Sequence, residues 1–271
     1  TIEVPAQGGN WIFYLDCPHD GATLCRVAEG LFACPAEKKT NANEKAEGAY
    51  RTTLHDRAAR ASETTALAYA LTGRREFAEK AAGILLKYAD LYPGYTLHDR
   101  WGRTGLLAFM GGLRYAQALD EAVNLIPCAK AYDLVAASGV LSSNQQAHIE
   151  NDFLRAAARQ LQVYTFQENN NHQTWINAGI ASVGFALNDQ ALIDLSITGK
   201  FGLYYQMTNC VTSDGLWREG TMAYQSYAMQ PLVMHAEMAR KNGRSVHSNE
   251  ALKSLFDGPL RSAFPDGSYP I

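Results

Sequence analysis

Residues 56–91 read DRAARASETTALAYALTGRREFAEKAAGILLKYADL, and the stretch decides the fold class. Apolar side chains recur in it at three- and four-residue spacings, and Gly73 and the following Pro93-Gly94 stand where the two runs end. The same pattern predicts helices over 56–72, 75–91, 104–116, 118–138, 142–164, 173–187, 189–209 and 219–241, with period-two strand alternation nearly absent. Consecutive helices on short turns pack antiparallel, giving either a superhelical solenoid or a closed ring of helix pairs. No fixed-period repeat recurs, which speaks against a solenoid. The expected fold class is therefore all-α, an incomplete α/α toroid of antiparallel helix pairs with a cleft at one end.

Outward from this body the chain changes character. Residues 1–55 carry Gly8-Gly9, the aromatic run Trp11-Ile12-Phe13-Tyr14-Leu15, Cys-Pro pairs at 17–18 and 34–35 and a polar tract over 36–48. They read as a loop-rich N-terminal segment with one or two short strands, packed on the toroid of 56–263. Phe264 to Pro270 has linker chemistry, and 264–271 is expected to lead toward a further domain.

Composition narrows the function. The 271 residues hold 24 Lys+Arg against 27 Asp+Glu, a net charge of −3, with 47% hydrophobic and 19% charged residues. A nucleic-acid binder carries a basic excess, so none is expected as partner, and any polyanion must meet a local basic patch. The apolar runs Leu106–Met110 and Val183–Leu187 are far shorter than the roughly 20 residues of a membrane span, so no membrane insertion is expected. Five cysteines, Cys17, Cys25, Cys34, Cys128 and Cys210, cannot all pair within one chain.

Two motifs carry chemistry. Asn169-Asn170-Asn171-His172-Gln173-Thr174-Trp175 enters an apolar-periodic helix, where Asn caps backbone N–H groups. An imidazole in the first turn lies at the positive end of the helix dipole and is held neutral, able to accept a proton. An N-cap with a packed histidine is the structural alternative, and three amides in a row exceed what a cap needs. The second motif runs from Asp214-Gly215-Leu216-Trp217-Arg218-Glu219 into a helix with Tyr224, Tyr227 and Pro231 on one face. Arg218 at its entrance can clamp a carboxylate bidentately, or form an ordinary surface bridge with Glu219. An amide, a histidine, a tyrosine and an arginine without an obvious nucleophile suit proton abstraction beside a carboxylate. That is β-elimination from a uronic acid: the C6 carboxylate is neutralised, the C5 proton removed and the C4 glycosidic oxygen protonated. Tyrosine serves as base when its phenolate is stabilised and as acid when neutral, and the scheme needs neither metal nor cofactor.

At these residues the chain resembles the heparinase II/III-like and alginate lyase superfamily of polysaccharide lyases. Asn170 to Trp175 is similar to the family's Asn-Asn-His-x-x-Trp motif, Glu219 to Tyr227 to its Glu-Gly-x-x-x-Tyr-x-x-Tyr motif, and the interval from His172 to Tyr224 is similar too. Gln117 to Ala122, Leu125 to Pro127, Ala131 to Leu134, and the stretch from Trp11 to Pro35 resemble further family segments. The resemblance implies an α/α-toroid lyase, secreted or periplasmic, acting on an anionic polysaccharide. The substrate would be a glycosaminoglycan (heparin or heparan sulfate, chondroitin, hyaluronan) first and alginate second. It implies Asn171 and His172 as carboxylate neutralisers, His172 as base for one epimer, and Tyr224 as base, acid or both. Asn170, Trp175, Glu219, Tyr227 and Gln117 would contact substrate, and Arg218 is our own addition as a clamp. Family members often continue into a β-sandwich, and 264–271 is expected to lead to one.

Other residues were weighed on the same terms. His55-Asp56-Arg57 and His98-Asp99-Arg100-Trp101-Gly102-Arg103 place basic and aromatic groups where Arg100 and Arg103 can hold sugar carboxylates or sulfates, or serve as caps and bridges. Cys17-Pro18-His19-Asp20 and Cys34-Pro35-Ala36-Glu37 follow a zinc-ribbon-like pattern without its second cysteines. Structural thiols or disulfides are expected there, with Cys17, His19, Cys25 and Cys34 as the alternative metal set. His148, His235 and His247 have no partner at ligand spacing and read as structural. Gly-rich phosphate loops, His-Glu-x-x-His and Gly-x-Ser-x-Gly are absent from the sequence. Two rivals stand: a toroid glycoside hydrolase using two of Asp120, Glu121, Asp214 and Glu219, and a non-catalytic polysaccharide-binding protein.

Overall fold

The first long helix starts where the sequence looks least helical. Asn43 accepts a hydrogen bond from the Ala46 N–H at 3.0 Å, and α1 runs from there over Glu44–Thr72 with Glu44 and Glu47 in its first turn. The computed structural model describes residues 2–37, 39–164, 170–244, 246 and 249–269. The chain forms two compact units, residues 1–157 and 158–271.

In the first unit, β1 (Cys25–Ala28), β2 (Leu31–Ala33) and β3 (Thr40–Ala42) make an antiparallel meander in chain order. Phe32 of β2 packs with Leu15 and with Ala46 and Ala49 of α1. This contact draws the helix back to Glu44 from the start expected near 56. Gly48 is required on that face, because a Cβ there would come within 2.7 Å of the Asn10 side chain. α1 ends at Gly73 in the left-handed conformation (φ 68°), and α2 spans Arg75–Leu91, both as predicted. α3 covers Ala118–Val135, and α1 packs against α2 and α3. Its buried residues Ala58, Ala59, Ser62 and Ala66 are small enough to let helix backbones approach closely.

The helix expected over 104–116 does not form; Gly105–Leu107 makes a single 3-10 turn. Asp99, 1% exposed, instead accepts the backbone N–H groups of Trp101, Arg103 and Phe109, and His98 pairs with both Thr104 and Gly112. A Cβ on Gly111 would sit 2.1 Å from the His98 carbonyl, so this loop fits glycine there. The run 142–164 is helical as read, but divided into α4 (Ser143–His148), a π segment (Ile149–Leu154) and α5 (Arg155–Gln162).

Below that loop lies a fully buried ion pair. Arg114 donates through Nε to Glu121 Oε1 at 2.7 Å, and Glu121 also accepts from the Arg114 backbone N–H at 2.8 Å. The guanidinium sits among the rings of Tyr88, Tyr115 and Phe153. Nearby His55, 0% exposed, meets Tyr88 Oη at 3.2 Å and the Gln7 carbonyl at 3.1 Å. Burial, with Arg114 adding to it, pulls its pKa from 6.5 to about 4.

In the second unit, α6 (Asn171–Ala186) is buried nearly all round, the mark of a central helix, and α7 (Gln190–Thr198) and α9 (Met222–Lys241) pack against it. The single helix expected over 189–209 is broken into α7 and α8 (Leu203–Asn209). Gly199 and Gly202 at the break lie so near the Leu195 and Ile197 carbonyls that a Cβ would come within 2.2 and 2.7 Å of them. α10 (Glu250–Ser262), with Pro259 inside it, was not among the helices expected from sequence. Gly258 is there for contact: a Cβ would meet the Gly215 carbonyl at 2.4 Å. Trp217, Leu232, Ala236, Leu252 and Leu255 close this core.

His235, 1% exposed, faces Ser196 Oγ at 3.3 Å, and burial drives its pKa to about 3. Both buried imidazoles titrate near 6.5 when unfolded, so protons bound only by the unfolded chain remove stability as pH falls from 6.5 toward 4. Burial also lowers His172, which adds to this loss, and raises Asp120, to about 7, together with Asp56 and Asp133, which oppose it. Thermal melts at stepped pH are expected to show the midpoint falling on acidification; a flat or rising profile contradicts it.

Candidate active site

Two helix N-termini meet in the second unit. Asn170 caps α6 by accepting the Gln173 N–H at 3.2 Å, and Thr221 caps α9 by accepting the Tyr224 N–H at 3.1 Å. Gly220, with φ 82°, makes the turn between Glu219 and that cap. Glu219 ties the ends together: its carboxylate accepts the Asn171 N–H at 2.6 Å, the Asn171 Nδ2 at 2.9 Å and the Trp217 indole N–H at 2.7 Å. Trp217, 1% exposed, is itself fixed by its backbone N–H donating to Gln225 Oε1, and Gln225 Nε2 donates to the Leu255 carbonyl at 2.8 Å. One turn further in, the Trp175 and Tyr227 rings lie 5.3 Å apart.

The expected site residues separate by task. Tyr224 projects from the first turn of α9 and is 45% exposed. His172 is half-buried in the first turn of α6, and burial lowers its pKa below 6.5 while Glu219 opposes the shift. It is thus neutral as expected, with desolvation as the first cause. Its Nδ1 is buried without a hydrogen-bond partner among the described residues. Asn171, expected to face a substrate carboxylate, is 3% exposed with its amide turned to Glu219. Glu219 and Trp175, read as substrate contacts, are a positioning carboxylate and a core ring that is 3% exposed. Arg218 is exposed at the entrance to α9, its backbone N–H on the Cys210 carbonyl at 3.0 Å. Asn169 and His247 lie outside the described residues.

Arg100, Arg103, Gln117, Asp120 and Glu121 belong to the first unit. Arg100 stacks over Trp11 at 4.8 Å and Trp101 at 4.2 Å, and Arg103 lies 4.7 Å from Trp101 with Nε on Asp99 at 2.6 Å. Arg100 and Trp101 join Lys45, Arg51 and His98 in lining a cleft of about 560 Å³. Gln117 is half-buried at the N-cap of α3. Of the four acids open to a hydrolase, Glu121 is buried on Arg114 and Glu219 is engaged with Asn171 and Trp217. Asp214 accepts the Thr212 hydroxyl. Sequence reasoning missed the Glu219–Asn171–Trp217 linkage; the Glu-Gly turn before Thr221 was its only trace.

Removing the Glu219 carboxylate leaves the Asn171 and Trp217 donors without their acceptor, at about 1–3 kcal/mol for such buried groups. Glu219→Ala is expected to melt earlier by that amount, and amide exchange at the start of α6 is expected to accelerate. Unchanged exchange there removes Glu219 from the positioning role.

The helical fold is shared with solved structures. A tyrosine-to-phenylalanine variant of alginate lyase A1-III, from Sphingomonas species A1, complexed with tetrasaccharide, superposes with TM-score 0.63 at 19% identity. The match covers 83% of this chain and 62% of that one. It shows the fold, the α/α toroid type expected from the sequence. The chain is 28% identical to an exo-oligoalginate lyase of Saccharophagus degradans over 78% of its length and 28% of the relative's. It is 31% identical to an alginate lyase of Stenotrophomonas maltophilia over 72% of its length and 26% of the relative's. It thus spans about a quarter of the curated relatives it matches. The alginate lyase family model matches residues 20–262, and the chain belongs to that family.

Proposed function

We propose that the chain carries catalytic groups of a polysaccharide lyase that cleaves a uronic-acid polymer by β-elimination, with alginate as the first substrate to test. The observation that carries the reading is the Glu219 linkage, which brings the first turns of α6 and α9 together and with them His172 and Tyr224. Two helix N-termini favour an anion such as the C6 carboxylate. His172, kept neutral by burial, can take the C5 proton or donate to that carboxylate. The Tyr224 phenol, open to solvent, can pass a proton to the C4 oxygen as the bond breaks. The atoms balance: the C5–H and C4–O bonds break and a C4–C5 double bond forms; the C5 proton ends on His172, the Tyr224 proton ends on the leaving oxygen, and proton exchange with solvent restores both side chains.

The relatives' names move alginate ahead of the glycosaminoglycans favoured from sequence. The cationic, aromatic cleft of the first unit suits an acidic sugar as well. An anionic polysaccharide of uronic acids is met outside the cytoplasm, so we infer a periplasmic or secreted protein. Incubation with alginates and glycosaminoglycans should raise the ultraviolet absorbance of a conjugated unsaturated uronate on alginate. New reducing ends without that absorbance would mean hydrolysis and overturn the reading.

A further inference from the structure

Both Cys-Pro turns of the N-terminal segment point their sulfurs at one carboxylate. Cys17 and Cys34 are 4% and 5% exposed, and the ligand atoms of Cys17, Asp20 and Cys34 all lie within 4.8 Å of one another. The turns are alike in sequence, Cys-Pro-His-Asp-Gly at 17–21 and Cys-Pro-Ala-Glu at 34–37, with an acid three residues after each cysteine. Each closes a hairpin: the Cys17 N–H donates to the Ala22 carbonyl at 2.8 Å, and the Cys34 N–H to the Lys39 carbonyl at 3.1 Å. Gly21, at φ 71°, completes the first. Inside it the backbone N–H groups of His19 and Asp20 are directed at the Cys17 sulfur.

We propose that Cys17, Asp20 and Cys34 form a structural site for a zinc-class divalent metal ion, independent of the reaction proposed above. Metal–sulfur bonds of about 2.3 Å and metal–oxygen bonds of about 2.0–2.2 Å at tetrahedral angles put sulfur and oxygen roughly 3.5–3.7 Å apart. Cys34 Sγ lies 3.6 Å from Asp20 Oδ2. Two thiolates with an oxygen donor suit zinc by softness and geometry. His19 and Glu37, whose Nε2 and carboxylate lie 4.0 Å apart, are outside the three-residue cluster, so the fourth position would be filled by one of them turning inward or by water. Cys25, in the metal set first considered from sequence, is exposed at the head of β1 and outside the cluster. The ion would join two hairpin tips in a small sheet whose β1 and β3 residues are all exposed.

The test uses the full chain, purified under reducing conditions. Elemental analysis is expected to find about one zinc per chain, and cobalt added after chelation is expected to give sulfur-to-cobalt charge-transfer absorbance. Cys34→Ser should abolish that absorbance and Asp20→Asn should weaken cobalt binding at least tenfold, while both variants retain the native far-ultraviolet dichroism of the helices. Absence of bound zinc and of charge-transfer absorbance in the native chain overturns the site. So does a Cys17–Cys34 disulfide in the freshly isolated protein.

Discussion

Tyr224→Phe is expected to lower turnover by roughly 10²–10⁴-fold, the range contributed by a general acid or base, without moving the melting temperature. The phenol projects from the first turn of α9 at 45% exposure, and the residue's link to the helix cap is its backbone N–H on Thr221, which phenylalanine keeps. His172→Ala should reduce kcat as well. On the proposed mechanism, activity governed by His172 in the native chain should fall only below pH 6.5, because burial has lowered that pKa and the neutral ring is the working form. The readout is the initial rate of unsaturated-uronate formation. A Tyr224→Phe enzyme within a few-fold of the native rate would remove Tyr224 from the chemistry.

Glu121→Ala is expected to be the most damaging single change to stability, at about 3–5 kcal/mol, because it leaves a guanidinium uncompensated in a dry interior. Both side chains of the Arg114–Glu121 pair are fully buried at 2.7 Å. The same carboxylate also accepts the Leu113 and Arg114 backbone N–H groups at 3.2 and 2.8 Å, so it holds the loop ahead of α3 as well as the charge. Since domains are stable by only about 5–15 kcal/mol, the variant should unfold at much lower denaturant or accumulate insoluble. The double variant Arg114→Met/Glu121→Leu should recover part of the loss, since it removes the orphaned charge. A Glu121→Ala midpoint near that of the native chain would show the pair to be dispensable.

The motifs of the site were legible because their chemistry is local. An Asn before a helix caps it wherever it sits, and a His two residues later is fixed in the first turn by chain geometry alone. The direction of the Asn171 amide was not legible, since it depends on Glu219, 48 residues away in the chain. Tyr224 and Tyr227 were readable as one face of α9, but that Tyr224 meets solvent while Tyr227 packs on the Trp175 ring follows from how α6 and α9 pack. Similarly, Asp120 and Glu121 look alike in sequence; only the structure gives Glu121 an arginine and leaves Asp120 with a pKa raised to about 7.

What the sequence determined by itself is the helical class and the elements whose signals lie within one turn: α2 in full, the stops at Gly73 and Gly139, the start at Ser142, and the start of α6 to within two residues, at Asn171 against the expected 173. Capping, apolar periodicity and left-handed glycines act between neighbouring residues, so they survive reading one residue at a time. The tertiary structure decided the rest. It extended α1 to Glu44 through contact with the small sheet, turned 104–116 into a loop held by His98 and Asp99, and placed Gly258 inside α10 against Gly215. In each case a contact between distant residues outweighs local preference, because burying apolar surface and pairing buried polar groups exceed the few tenths of a kcal/mol per residue by which helix propensities differ.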